Sequence, residues 1–98
     1  MTITKKAEGT NLTVAVEGRL DTTTAPELES ALFESLDGVT SLLIDFSALE
    51  YISSAGLRVL LSAQKRMNTQ GEMKVTGANE TIMEVFEVTG FSDILTIE

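Results

Sequence analysis

Residues 41 to 61 read "SLLIDFSALEYISSAGLRVLL". Leu42, Leu43, Ile44 and Phe46 make an apolar run of strand length. Such a run suits a central strand covered on both faces, in a sheet with parallel neighbours. Beyond it the apolar positions take helical spacing. Leu57, Leu60, Leu61 and Met67 mark one face, and Lys65 and Arg66 lie near the end that favours cations. The pattern predicts a strand passing into a helix over residues 54 to 68, with Ser53 and Ser54 at the junction. A serine there can accept a hydrogen bond from an unpaired N–H of the first turn, and losing such a cap typically costs about 1 kcal/mol. One serine is enough for the cap, and Ser53 is the better placed. The Ser54 hydroxyl is then free to face solvent. A phosphate on it would meet free N–H groups and the positive end of the helix dipole. Gly56 reads as a small residue that lets the helix start pack close to a neighbouring strand.

The flanking segments repeat the alternation. "NLTVAVEG" places Leu12, Val14 and Val16 against Thr13, Ala15 and Glu17, a half-buried strand. "TITKKAEG" before it is a weaker strand, with Gly9 and Asn11 available for a hairpin turn. "GEMKVTGA" is a further short strand and "DILTIE" a possible last one. In "APELESALFESL", Leu28, Ala31, Leu32 and Leu36 form a stripe, Pro26 suits a first turn, and Thr23 or Thr24 can cap. In "NETIMEVFEVTG", Asn79 can cap, Ile82, Val85 and Phe86 point inward, and Gly90 can terminate. The order β-β-α-β-α-β-α(-β) defines an α/β domain with a mixed, mostly parallel sheet whose opening hairpin is antiparallel. Alternation leaves open whether the helices cover one face or both.

Composition narrows the function. The 98 residues make one domain, residues 1–98. There is no cysteine and no histidine. That excludes disulfides, thiolate zinc sites, a cysteine nucleophile and Ser-His-Asp chemistry, and it leaves no metal site to name. An enzyme built on paired carboxylates such as Asp21 and Asp45 would lack His, Cys and any glycine-rich phosphate loop. The net charge of −8 repels nucleic-acid phosphates and anionic lipid. No apolar run approaches the ~20 residues that span a bilayer. The amino-terminal "MTITKKAEGT" lacks the apolar stretch of a secretory signal. The expectation is a cytoplasmic domain with protein partners, no nucleic acid, no membrane insertion and no cofactor.

The stretch "LLIDFSALEYISSAGLRVLL" resembles the signature of the STAS domain, specifically that of bacterial anti-sigma factor antagonists. That signature runs from a strand through Asp-Ser-Ser/Thr-Gly-Leu into a leucine-rich helix. Aligned on Gly56 and Leu57, Ser54 falls on the serine that the family's kinase phosphorylates. Gly18, Arg19, Leu20 and Asp21 resemble the family's Gly-x-Leu-Asp strand end, and Thr89, Gly90 and Phe91 its closing turn. The chain departs from the pattern at Ser53, where the family carries aspartate, and at Ala55, where it carries serine or threonine. An acid beside the acceptor is therefore missing.

The resemblance spans essentially the whole chain and implies a STAS fold and a protein that is not an enzyme. It implies a switch that binds an anti-sigma factor serine kinase and so releases a sigma factor. Phosphorylation from ATP ends that binding, and a PP2C-type phosphatase restores it. The implied partner contacts are Asp21, Ser53, Ser54, Gly56 and Arg58. On residue chemistry alone Asp21 is a turn or cap acid. Asp45 reads as a strand-end acid bonded to backbone N–H groups, and Arg58 as either a solvated arginine or an interface anchor. A phosphate beside Asp21 or Asp45 would meet like charge. The alternative within the family is a STAS-like docking subunit of a membrane transport complex, without a phosphate cycle.

Overall fold

The computed structural model describes all 98 residues. Strands β1 (Thr2–Glu8) and β2 (Asn11–Leu20) form the opening hairpin, turning at Gly9 with φ of 59°. There follow α1 (Ala25–Phe33), β3 (Ser41–Ile52), α2 (Ser54–Asn68), β4 (Glu72–Thr76) and α3 (Glu80–Thr89). A single 3-10 turn, Phe91–Asp93, leads to the two-residue β5 (Thr96–Ile97). The sheet order is β1-β2-β3-β4-β5, antiparallel between β1 and β2 and parallel elsewhere.

This order settles what alternation left open. From β2 to β5 each crossover advances one strand in the same direction. Right-handed crossovers then place every helix on one face. The register agrees: Leu12, Leu42 and Met73 stand abreast, as do Val14, Ile44 and Val75, and all six are buried in one core with Leu28, Leu60 and Phe86 from the helices. The opposite rows, Thr13–Leu43–Lys74 and Ala15–Asp45–Thr76, are only half-buried. The expectation that β3 is covered on both faces is thus corrected. β3 is central, but its second face is open, and Leu43 is one apolar residue on that face.

Local signals explain the helix ends. Asn79 caps α3 by accepting the Ile82 N–H at 2.8 Å, and its amide donates to the Leu49 carbonyl, tying the helix to β3. Gly90 closes the same helix in the left-handed conformation. Helix α1 stops at Phe33, short of the predicted stripe, although Leu36 beyond it is fully buried. Its end is held by Lys5 from β1, which donates to the Ala31 carbonyl and to Glu34 and Ser35. That places a cation where the helix dipole favours one.

Candidate functional site: the junction of β2, β3 and α2

Leu20 and Ile52 are paired across β2 and β3, and the Ser53 N–H donates to the Leu20 carbonyl at 2.9 Å. Asp21 and Ser53 therefore leave two neighbouring strand ends side by side. The Asp21 carboxylate accepts the Thr23 N–H at 3.0 Å and the Thr24 N–H at 3.1 Å. The Thr24 hydroxyl accepts the Asp21 N–H and donates to the Arg19 carbonyl at 2.8 Å, with the Asp21 carboxylate 3.2 Å away. Asp21 thus organises the turn into α1, as its residue chemistry suggested. Thr24 occupies the cap position of α1 but makes no capping bond there, because its hydroxyl is committed to this turn.

The Thr24 N–H above all, then the Thr23 N–H, the Thr24 hydroxyl and the Arg19 charge, hold the Asp21 carboxyl below its ordinary 3.8, against an opposing contribution from desolvation. A carboxyl lowered by folding stabilises fully above its unfolded value, and that contribution is lost as pH falls through the folded value. Asp21→Asn is therefore expected to be less stable than wild type at neutral pH and to converge with it in acid. Urea midpoints taken from neutral pH to about pH 2 check this, and parallel profiles would refute it. The fall with acid is reduced rather than abolished, because Ser47 holds the Asp45 carboxyl low as well.

The two serines separate clearly. Ser53 is the cap residue of α2, with φ of −103° and ψ of 176°, yet its side chain makes no capping bond. Its hydroxyl oxygen is buried without a partner. The expected Ser53 cap is corrected: the oxygen is buried and accepts no first-turn N–H, so the capping energy is absent. Ser54, the first helical residue, is exposed. Gly56 is buried, and a Cβ there would stand 2.7 Å from Leu20 Cγ and 2.9 Å from Ile52 Cγ1. Gly56 thus seats α2 on the two strand ends and shapes the surface they carry.

Arg58 is exposed one turn beyond Ser54. It lines a shallow groove of about 440 Å³ between α1 and α2. Thr22, Pro26 and Glu29 stand on one side of this groove, with Ala55, Arg58 and Ser62 on the other. The fold therefore brings the Asp21 turn, Ser54 and Arg58 onto one end of the molecule. The arrangement offers no catalytic constellation. It offers an open groove with the exposed Ser54 beside it.

Comparison with known proteins identifies the fold. A family model described as the STAS domain matches residues 2–98. The chain belongs to the STAS domain family. An anti-sigma-B factor antagonist of Listeria monocytogenes is 32% identical over 97 residues, which are 96% of this chain and 84% of that protein. A Staphylococcus aureus protein of the same name is 31% identical over 86 residues, covering 86% of this chain and 80% of that one. The crystal structure of an anti-sigma factor antagonist from Mycobacterium paratuberculosis superposes with a TM-score of 0.89 at 26% identity, covering 98% of this chain and 83% of that one.

Within this STAS domain some site features escaped sequence reasoning. The Arg19 guanidinium lies over the Tyr51 ring, 4.4 Å from its centroid. Tyr51 is 38% exposed and stands two residues before Ser53. Arg19 and Tyr51 become partners only because the β2–β3 register shifts between Gly18 and Arg19, which no spacing in either strand announces. Glu29 could have been found, since it lies three residues after Pro26 on a helix whose other face is the apolar stripe. Asp45 is corrected: it lies inside β3, where it accepts the Ser47 N–H at 2.9 Å and the Ser47 hydroxyl. The seven residue steps from Asp45 to Ile52 span on the order of 20 Å, so Asp45 is not beside Ser54. No helix of the STAS domain is long and apolar enough to cross a membrane.

Proposed function

We propose that this STAS domain is an anti-sigma factor antagonist whose binding to an anti-sigma factor serine kinase is switched by phosphorylation of Ser54. The observation that carries the reading is the exposed Ser54 hydroxyl at the start of α2, next to the turn built by Asp21 and the groove lined by Arg58. The names of the Listeria and Staphylococcus relatives support the antagonist role over that of a transporter docking subunit. The protein itself performs no chemistry. The kinase transfers the γ-phosphoryl group of ATP: the Ser54 oxygen–phosphorus bond forms, the bond to ADP breaks, and the hydroxyl proton passes to a base of the kinase. A PP2C-type phosphatase hydrolyses the ester.

A phosphate brings about −1.5 to −2 charges to a surface that must be desolvated when the partner docks. Asp21 adds like charge from the neighbouring strand end, so binding ends without a change of fold. Arg58→Glu is expected to lower affinity for the anti-sigma factor at least tenfold, about 1.4 kcal/mol, and Asp21→Ala to lower it as well. Calorimetric titration of folded variants tests this. Unchanged affinity in both would place the interface elsewhere.

A further inference from the structure

Two of the seven Lys and Arg side chains, Arg58 and Lys65, have no partner within the domain. Lys5, Lys6, Arg66 and Lys74 are ion-paired, and Arg19 stacks on Tyr51. Arg58 has neither an ion pair nor a hydrogen bond, although Glu29 shares its groove. It lies four residues after Ser54 on α2, and both are exposed. Residues at that separation are neighbours on one helix face, with Cβ atoms about 5–6 Å apart. Lys65, the next unpaired cation on α2, is eleven residues from Ser54. That is roughly 16 Å along the axis, out of reach.

The geometry points to an internal clamp: a phosphate on Ser54 is gripped by the guanidinium of Arg58 on the same helix, which withdraws Arg58 from the groove. This rests on Ser54 being the phosphoacceptor and deepens the switch. The guanidinium fork matches phosphate oxygens bidentately, and a dianion outcompetes the single Glu29 carboxylate across the groove. Phosphorylation then acts twice. It adds charge to the interface, and it removes the cation of the groove that could hold a carboxylate of the partner.

The test installs phosphoserine at position 54 during synthesis, so that no kinase is needed, in wild type, Arg58→Gln and Arg58→Lys. Phosphorus NMR titration reads the second ionisation of the phosphate, ordinarily near pH 6. The helix start acts equally in all three proteins, so differences isolate Arg58. The clamp lowers this value in wild type by roughly 0.3–0.5 unit relative to Arg58→Gln at low salt, with Arg58→Lys between them. The difference shrinks at high salt. Equal values in wild type and Arg58→Gln at low salt overturn the clamp and leave the switch standing. Absence of phosphate from Ser54 in the cells of origin would overturn the switch, whatever the titration gives.

Discussion

Phosphate on Ser54 is expected to weaken binding of the anti-sigma factor a few hundredfold or more, a loss of ~3–4 kcal/mol. Ser54→Asp, with half the charge and fewer acceptor oxygens, is expected to lose on the order of tenfold to a hundredfold. Ser54→Ala is expected to bind like wild type and to be insensitive to the kinase. All three should stay folded, because the Ser54 side chain is exposed and makes no hydrogen bond within the domain. Ser54→Asp is expected to gain roughly 0.3–1 kcal/mol of stability from a negative charge in the first turn of α2. The alternative acceptor is disfavoured by position: the Ser53 hydroxyl is buried, so a kinase reaches it only by opening the junction. Calorimetry with the purified partner and kinase labelling of each serine variant decide the matter. Labelling of Ser53, undiminished labelling of Ser54→Ala, or wild-type affinity in Ser54→Asp would each defeat the assignment.

How far this site was legible depends on which forces wrote it. The apolar periods of "NLTVAVEG" and "SAGLRVLL" record burial against one core, and burial is what a linear pattern encodes. Hence α2 covers the expected residues, Ser54–Asn68, around a stripe that runs from Leu57 to Met67. Coverage of the second sheet face is different. Leu43 looks like the neighbour of two core residues, but whether a helix lies over it depends on the direction of every crossover. The Ser53 cap failed for a related reason. Serine is a good cap by type, yet here its backbone N–H is anchored to the Leu20 carbonyl and its hydroxyl is buried without a partner. Asp45 was misplaced because β3 runs on through two register shifts to Ile52, well past the end of its apolar run. The Arg19–Tyr51 pair depends on the second of those shifts.

Gly71→Ala is expected to be strongly destabilising, costing about 3 kcal/mol or more. Gly71 follows α2 and leads into β4, with its N–H donating to the Met67 carbonyl at 2.7 Å. A Cβ there would overlap the Thr40 carbonyl oxygen and stand 2.5 Å from the carbonyl carbon. These are backbone atoms at the entry to the central strand, and no rotamer change can move them aside. The same Thr40 carbonyl accepts the Glu72 N–H at 2.9 Å, next to the Ser41–Glu72 pair that sets the β3–β4 register. If Thr40 yields, that bond is lost and the pairing of β4 with the central strand starts wrongly. If Gly71 yields, the end of α2 shifts, and Met67 with it, which is fully buried. For a domain of this size the loss corresponds to a fall in melting temperature of roughly 10–20 °C. Gly9→Ala is the control: φ is +59° in the hairpin turn and nothing lies within 4 Å of its Cβ, so only the left-handed strain of about 1 kcal/mol remains. Thermal unfolding followed by circular dichroism compares them. A Gly71→Ala protein that melts within a few degrees of wild type, or above Gly9→Ala, would show that the Thr40 backbone can give way. In that case the α2–β4 connection is not what fixes the helix that presents Ser54.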